Sequence, residues 1–304
     1  VKIIFAGTPE AAVPTLTSLI NSSFDVVAVL TRPDAHQGRK RILTPSPVAQ
    51  VALDHHIPVI YANRIDDEIQ ATIDFFNADL GVVVAYGALL PELTLGSLKH
   101  GWINLHFSSL PSWRGAAPVQ WQLLSGEVMA GSAVFKLVKE LDAGDVFDTR
   151  EWPILPDETS GELLERLSHL GSRQVLDVID SINSGRAIAT TQSGESSYAR
   201  KLNLEDGHLN LNNDSDVVYN QYRGVTPEPG AFVVVGEERL KILEAFKGGD
   251  QIVPPTQIVS IEKKLFLGCS SGSLELITVQ PFGKKAMSAM DWFRGLRQEV
   301  VHVS

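Results

Sequence analysis

With 304 residues, 44% hydrophobic and 20% charged, the chain is long enough to bury a full core and to divide into two domains. Its one cysteine, Cys269, excludes an internal disulfide and a thiolate metal cluster, and no apolar run approaches the ~20 residues of a membrane-spanning helix. The net charge of −10 weighs against a dedicated nucleic-acid binder, but it is uneven: residues 208–304 hold 10 Lys and Arg against 11 Asp and Glu, so the excess lies in residues 1–207.

The sequence enters a strand at once with "KIIFAG", which leaves no room for a signal or transit peptide and makes the cytoplasm the expected location. "TPEAAVPTLTSLI" follows as a helix with proline near its start, then "DVVAVLT" as a second strand. "PSPVAQVALDHH" opens a second helix, "IPVIY" is a short strand, "DDEIQATIDFF" a helix, and "LGVVVAY" and "GWINLHF" are two further strands. Apolar strands separated by helices predict a mostly parallel sheet covered on both faces, an α/β, Rossmann-like arrangement. "SAVFKLVK" and "DVFDTREWPI" are strands close enough to pair antiparallel. A long amphipathic helix then repeats Leu163, Leu164, Leu167, Leu170 and Val175 near a 3.6 period.

The texture changes near Asn183. Residues 183–207 are rich in Ser, Gly, Thr and Asn and read as a linker between an N-terminal domain, 1–182, and a C-terminal one, 208–304. In the latter, "GAFVVV", "RLKILEAF", "TQIVSIEKKLFLGC" and "GSLELITVQ" are short strands between Gly and Pro turns, as in a small β-barrel or sandwich.

Ligands of a parallel sheet gather at the C-terminal ends of its strands. "FAGTPE" lacks the glycine fingerprint of a dinucleotide site and reads as a tight turn. Asn104 and His106 share one face of "INLHF", and the stiff turn "SSLPSWRG" follows immediately. An Asn amide and an imidazolium can both donate to the oxyanion of a carbonyl becoming tetrahedral. That role needs an imidazole kept charged or readily charged near neutral pH, which a nearby carboxylate favours; Asp142 and Asp145 in "KELDAGDV" are the candidates. Spacing alone leaves a purely geometric turn as an equal reading.

The segment Thr31–Pro47 is a long loop with Arg32, Arg39, Lys40 and Arg41 against Asp34, and "GKKAMSAMDWFRG" places Lys284 and Lys285 before a helix. Each cluster reads either as solvated surface or as a grip on a phosphate backbone.

Taken together, "FAGTPE", "GRK…PSPV", "INLHFSSLPSWRGAAPVQ", "ELDAGD" and "VQPFGKKAMSAMDWFRG" resemble the methionyl-tRNA formyltransferases along essentially the whole chain. The central motifs are shared by all enzymes that take a formyl group from 10-formyltetrahydrofolate; the basic loop and the "GKKAMSA" tail look more like the tRNA branch. The resemblance implies a formyltransferase domain followed by an OB-like β-barrel, and formylation of the α-amino group of methionyl initiator tRNA. It implies Asn104, His106 and Asp142 as catalytic residues, and Ser108, Ser109, Leu110 and Pro111 at the folate. Arg39, Lys40, Arg41, Lys284 and Lys285 would face tRNA, with no metal, no membrane and a monomeric enzyme expected. Two positions depart from the family pattern: Ser109 stands where leucine is usual, and Ala11 where phenylalanine is frequent.

Alternatives keep the same trio and change the acceptor: an amino-sugar nucleotide, or water in a 10-formyltetrahydrofolate hydrolase. A non-catalytic RNA-binding protein with a decayed α/β domain is a further rival that an intact trio opposes.

Overall fold

The computed structural model describes residues 1–37 and 42–304; Arg39, Lys40 and Arg41, expected to face tRNA, lie outside them. Strands β1 (Lys2–Gly7), β2 (Asp25–Thr31), β3 (Val59–Tyr61), β4 (Leu80–Val84) and β5 (Trp102–His106) lie in the order β5-β4-β1-β2-β3, and each neighbouring pair is parallel. On the other side of β5, β6 (Met129–Lys136) pairs antiparallel, and β7 (Val146–Pro153) completes the sheet. Consecutive residues Ile3, Ile4, Phe5 and Ala6 are all fully buried, so both faces of the central strand are covered.

Local chemistry sets the connecting helices. Helix α1 (Val13–Ile20) carries Pro14 in its first turn, where no amide partner is lost. Helix α2 (Pro47–Asp54) is capped by Ser46, whose hydroxyl accepts the Ala49 N–H at 3.0 Å, and α3 (Asp67–Phe75) by Asp66, which accepts that of Ile69 at 3.1 Å. The long helix α4 (Ser160–Asn183) buries Leu163, Leu167 and Val175 as its period requires, with Leu164 and Leu170 half-buried.

Within the long loop expected after β2, Ala35–Gln37 pairs antiparallel with Ile42–Thr44 as a short ribbon. Arg32 is half-buried, and its guanidinium donates to the Gly87 carbonyl at 2.6 Å. Thr8 donates from its hydroxyl to Tyr86 O at 2.9 Å, tying the turn after β1 to the one after β4.

The chain packs as two units, Val1–Pro118 with Ala130–Trp152 and Leu164–Ala199, and Val119–Met129 with Pro153–Leu163 and Arg200–Ser304. The stretch 183–207 therefore divides: residues to Ala199 belong to the first unit, and those from Arg200 to the second.

The second unit holds an antiparallel sheet of β8 (Phe232–Val235), β9 (Glu238–Lys247), β10 (Gln257–Ile261), β11 (Lys264–Gly268), β12 (Ser273–Pro281) and β13 (Val300–His302), in the order β8-β9-β12-β11-β10-β13. Register shifts near Glu244 bend β9 against β12. Val234 and Ser304 exchange backbone hydrogen bonds at 2.7 and 3.0 Å, so the first strand of the order meets the chain just beyond the last. The result is the curled antiparallel, OB-like sheet expected. Helix α5 (Ser215–Val225) was not legible in the sequence; it adds Val218, Tyr219, Tyr222 and Val225 to a core with Leu240, Ile258 and Leu276. Among the described residues no helix is long and apolar enough to cross a membrane.

Candidate active site

Strand β5 lies where the first sheet changes from parallel to antiparallel pairing, between β4 and β6. Asn104 lies between Val83 and Phe135, and His106 opposite Ala133. His106 is 6% exposed, and its ring meets Phe135 edge to face at 6.3 Å. Asn104 is half-buried, with its Oδ1 enclosed and unpartnered. That leaves Nδ2, a donor, as the open end of the amide.

The turn after β5 folds back over the histidine. Ser108 is fully buried and donates to Ser112 O at 2.6 Å. Trp113 has φ +59°, a left-handed conformation that points its carbonyl at His106 Nε2, 2.9 Å away. A carbonyl only accepts, so the neutral imidazole carries its proton on Nε2 and a lone pair on Nδ1. The Trp113 N–H donates to Ser197 Oγ at 2.9 Å, and Arg114–Gly115 pairs in parallel with Tyr198–Ala199. Gly115 has φ +119°, and a Cβ there would lie 2.7 Å from Ala199 O, so only glycine permits this approach.

Of the two carboxylates in "KELDAGDV", the structure brings only Asp142 to the histidine. Asp142 is 8% exposed, with Oδ2 3.9 Å from His106 Nδ1 and accepting the Gly115 N–H at 2.8 Å. Asp145 is exposed, and its carbonyl accepts the Lys136 N–H. Burial pushes the His106 imidazole below its ordinary titration range, against the opposing pulls of the Asp142 charge and the Trp113 carbonyl. Enclosure thus works against the charged form of the ring, and the carboxylate that favours that form stands off at 3.9 Å.

The remaining expected residues divide by location. Ser109 turns away from the trio and donates to Glu151 of β7 at 2.8 Å. It does so across Gly131 of β6, where a Cβ would collide with the Ser109 hydroxyl. Leu110 and Pro111 are half-buried at the turn. Lys284 and Lys285 are exposed in the second unit, in the turn after β12. Sequence reasoning missed Trp113, Gly115, Ser197 and Gln192. The first two act through the backbone, and the other two lie in a stretch without periodicity. Gln192 donates from Nε2 to Asp142 O and Gly144 O, both at 2.8 Å, and its Oε1 accepts from Arg114.

This arrangement of an amide donor, a buried imidazole and a buried carboxylate at one strand end suits acyl-type transfer. Residues 1–179 match the family model described as formyl transferase, and residues 201–297 that of the formyl transferase C-terminal domain. The chain belongs to the formyl transferase family. This formyl transferase is 49% identical over 300 residues to the methionyl-tRNA formyltransferase of Leifsonia xyli subsp. xyli, covering 99% of each sequence. Its fold is shared with the N-formyltransferase of Helicobacter canadensis, solved with folinic acid and dTDP-3-aminofucose (TM-score 0.69, 19% identity, 93% of this chain and 100% of that one). It is also shared with methionyl-tRNA formyltransferase of Clostridium thermocellum (TM-score 0.61, 18% identity, 83% of this chain and 96% of that one). At such identities the two structures speak for the fold and not for the acceptor.

Proposed function

We propose that this chain transfers the formyl group of 10-formyltetrahydrofolate to the α-amino group of methionyl initiator tRNA in the cytoplasm, supplying N-formylmethionyl-tRNA for translation initiation. The observation that carries this reading is the 49% identity across 99% of both chains with a methionyl-tRNA formyltransferase.

In this reading the neutral methionyl amine attacks the formyl carbon, a C–N bond forms, and the carbonyl oxygen becomes an oxyanion. Asn104 Nδ2 donates to that oxygen; one such donor is typically worth about 2.7–4 kcal/mol in the transition state. The amine must then lose a proton, and His106 Nδ1 is a lone pair beside Asp142 Oδ2. The Asp142–His106 pair takes that proton up, and the carboxylate stabilises the imidazolium as it forms. The proton returns to the folate nitrogen as the second C–N bond breaks. Charge on His106 is thus generated during turnover rather than held at rest. Leu110, Pro111 and the backbone of the 108–111 turn contact the folate, whereas the Ser108 and Ser109 hydroxyls brace the turn. Arg39, Lys40, Arg41, Lys284 and Lys285 supply positive charge toward the tRNA backbone.

The test is a transfer assay with 10-formyltetrahydrofolate and three acceptors: charged initiator tRNA, a charged elongator tRNA and a dTDP-linked amino sugar. Formylation of the initiator tRNA alone supports the reading. Transfer to the sugar in place of tRNA, or hydrolysis of the donor without transfer, overturns it.

A further inference from the structure

The carboxylate assigned to proton transfer sits on a turn held by one side chain that no motif marks. Asp142 has φ +48° and Trp113 φ +59°, conformations that L side chains seldom adopt. Each brings one group to His106, the Asp142 carboxylate on the Nδ1 side and the Trp113 carbonyl on Nε2. Between the two turns lies Gln192. It donates to Asp142 O and Gly144 O, both at 2.8 Å, and accepts from Arg114 Nε at 3.2 Å and Nη2 at 2.6 Å.

A primary amide has two donors and one oxygen with two acceptor sites, and all of them are used here. Glutamate keeps the acceptors but loses both donors, lysine keeps donors alone, and asparagine is one methylene shorter. The Arg114 charge on Oε1 also polarises the amide, strengthening the two bonds it donates. The carboxylate of Asp142 is held separately by the Gly115 N–H, and Gly115 follows Arg114 directly.

We infer that Gln192 is a positioning residue, which locks the Asp142 turn to the Trp113–Gly115 turn and thereby sets the Asp142–His106 geometry. This rests on the catalytic reading of Asp142 and His106 above. Gln192 touches no reacting atom; it acts through Asp142.

The experiment is a double-mutant cycle. Gln192→Ala and Gln192→Glu are each made alone and in the Asp142→Asn background, with folding checked by circular dichroism. Formyl transfer to initiator tRNA gives kcat and KM, and the His106 ring is titrated by NMR without substrate. Displacing a reacting group by ~1 Å can cost about 10²-fold, so each single variant should lose about 10–100-fold in kcat with KM for tRNA nearly unchanged. In the Asp142→Asn background the same changes should cost less than about 3-fold, because the positioned group has already gone. The His106 titration should move in both Gln192 variants.

Equal losses in the two backgrounds would mark a merely structural role and overturn the inference. So would a fully active Gln192→Glu, since the donors would then be dispensable. If wild type fails to formylate the tRNA, the functional reading is what fails. The NMR titration then decides the positioning claim alone, an unmoved His106 overturning it. Should Gln192→Ala not fold, the isosteric Gln192→Glu carries the cycle.

Discussion

The Gly115 amide donates to Asp142 Oδ2 at 2.8 Å, while the same oxygen lies 3.9 Å from His106 Nδ1. The carboxylate is thus anchored on the backbone of the turn and only faces the ring, without a hydrogen bond to it. That stand-off distance leaves Nδ1 free to accept a proton in the proposed transfer.

Asp142→Asn preserves the acceptor for Gly115 and removes the charge. Turnover should fall by about 10²–10⁴-fold, the usual range for a positioned acid or base. Denaturant unfolding should change little, since the Gly115 contact survives. An Asn variant that turns over at wild-type speed would leave Asp142 without a catalytic role.

Asn104 should show activity and stability moving in opposite directions. Its Oδ1 is buried without a partner, a burden of about 1–3 kcal/mol for such groups. Asn104→Leu, similar in size, removes that acceptor along with the proposed oxyanion donor. We expect kcat to drop about 10²–10³-fold while the urea midpoint holds or rises. A large loss of stability would mean that Oδ1 has a partner in solution.

The burial of His106 carries a pH signature. Its folded-state value lies below the ordinary one near 6.5, so between the two the unfolded chain binds more protons. Stability should therefore be complete above about pH 6.5 and decline as pH falls through the window toward the depressed folded value. Urea unfolding of wild type and His106→Gln between pH 7.5 and 5 isolates this contribution, and the gap between them should change within that window. A gap independent of pH would show a ring that titrates as it does in water.

Ser109→Leu would restore the residue usual in the family at a site that has adapted to serine. The hydroxyl bonds Glu151, and the chain passes so close to Gly131 that a Cβ there would collide with the Ser109 side chain, so leucine at 109 would crowd that contact. Overpacking of this kind costs about 1–3 kcal/mol, so the unfolding midpoint should fall more than the KM for donor changes. A stable variant with a markedly altered donor KM would instead place position 109 against the folate.

The parts legible in the sequence were those with a period. Alternation in "INLHF" put Asn104 and His106 on one face, and β-branched runs located the parallel strands. Asp142 could not be separated from Asp145 by spacing, because both flank Gly144 in one short turn and only tertiary folding buries one of them. Trp113 and Gly115 contribute a carbonyl and an amide, which every residue possesses and no sequence signal reports. Gln192 lies fifty positions from Asp142 in a polar stretch, and composition reads such a stretch as linker. The enclosure of His106 was hidden for a related reason: the carboxylate was foreseeable, and the depth of burial was not.

The parallel ribbon of Arg114–Gly115 with Tyr198–Ala199 also fixes when the site can exist during synthesis. A growing chain has all seven strands of the first sheet once Pro153 is made, and its long helix at Asn183. Gln192, Ser197 and Ala199 come later, so the scaffold precedes the clasp that shapes the turn over His106. An N-terminal fragment cut at the end of that helix would keep every residue of the trio and lack the parts that hold them in register. The shortest piece that holds every residue of this clasp runs to Ala199.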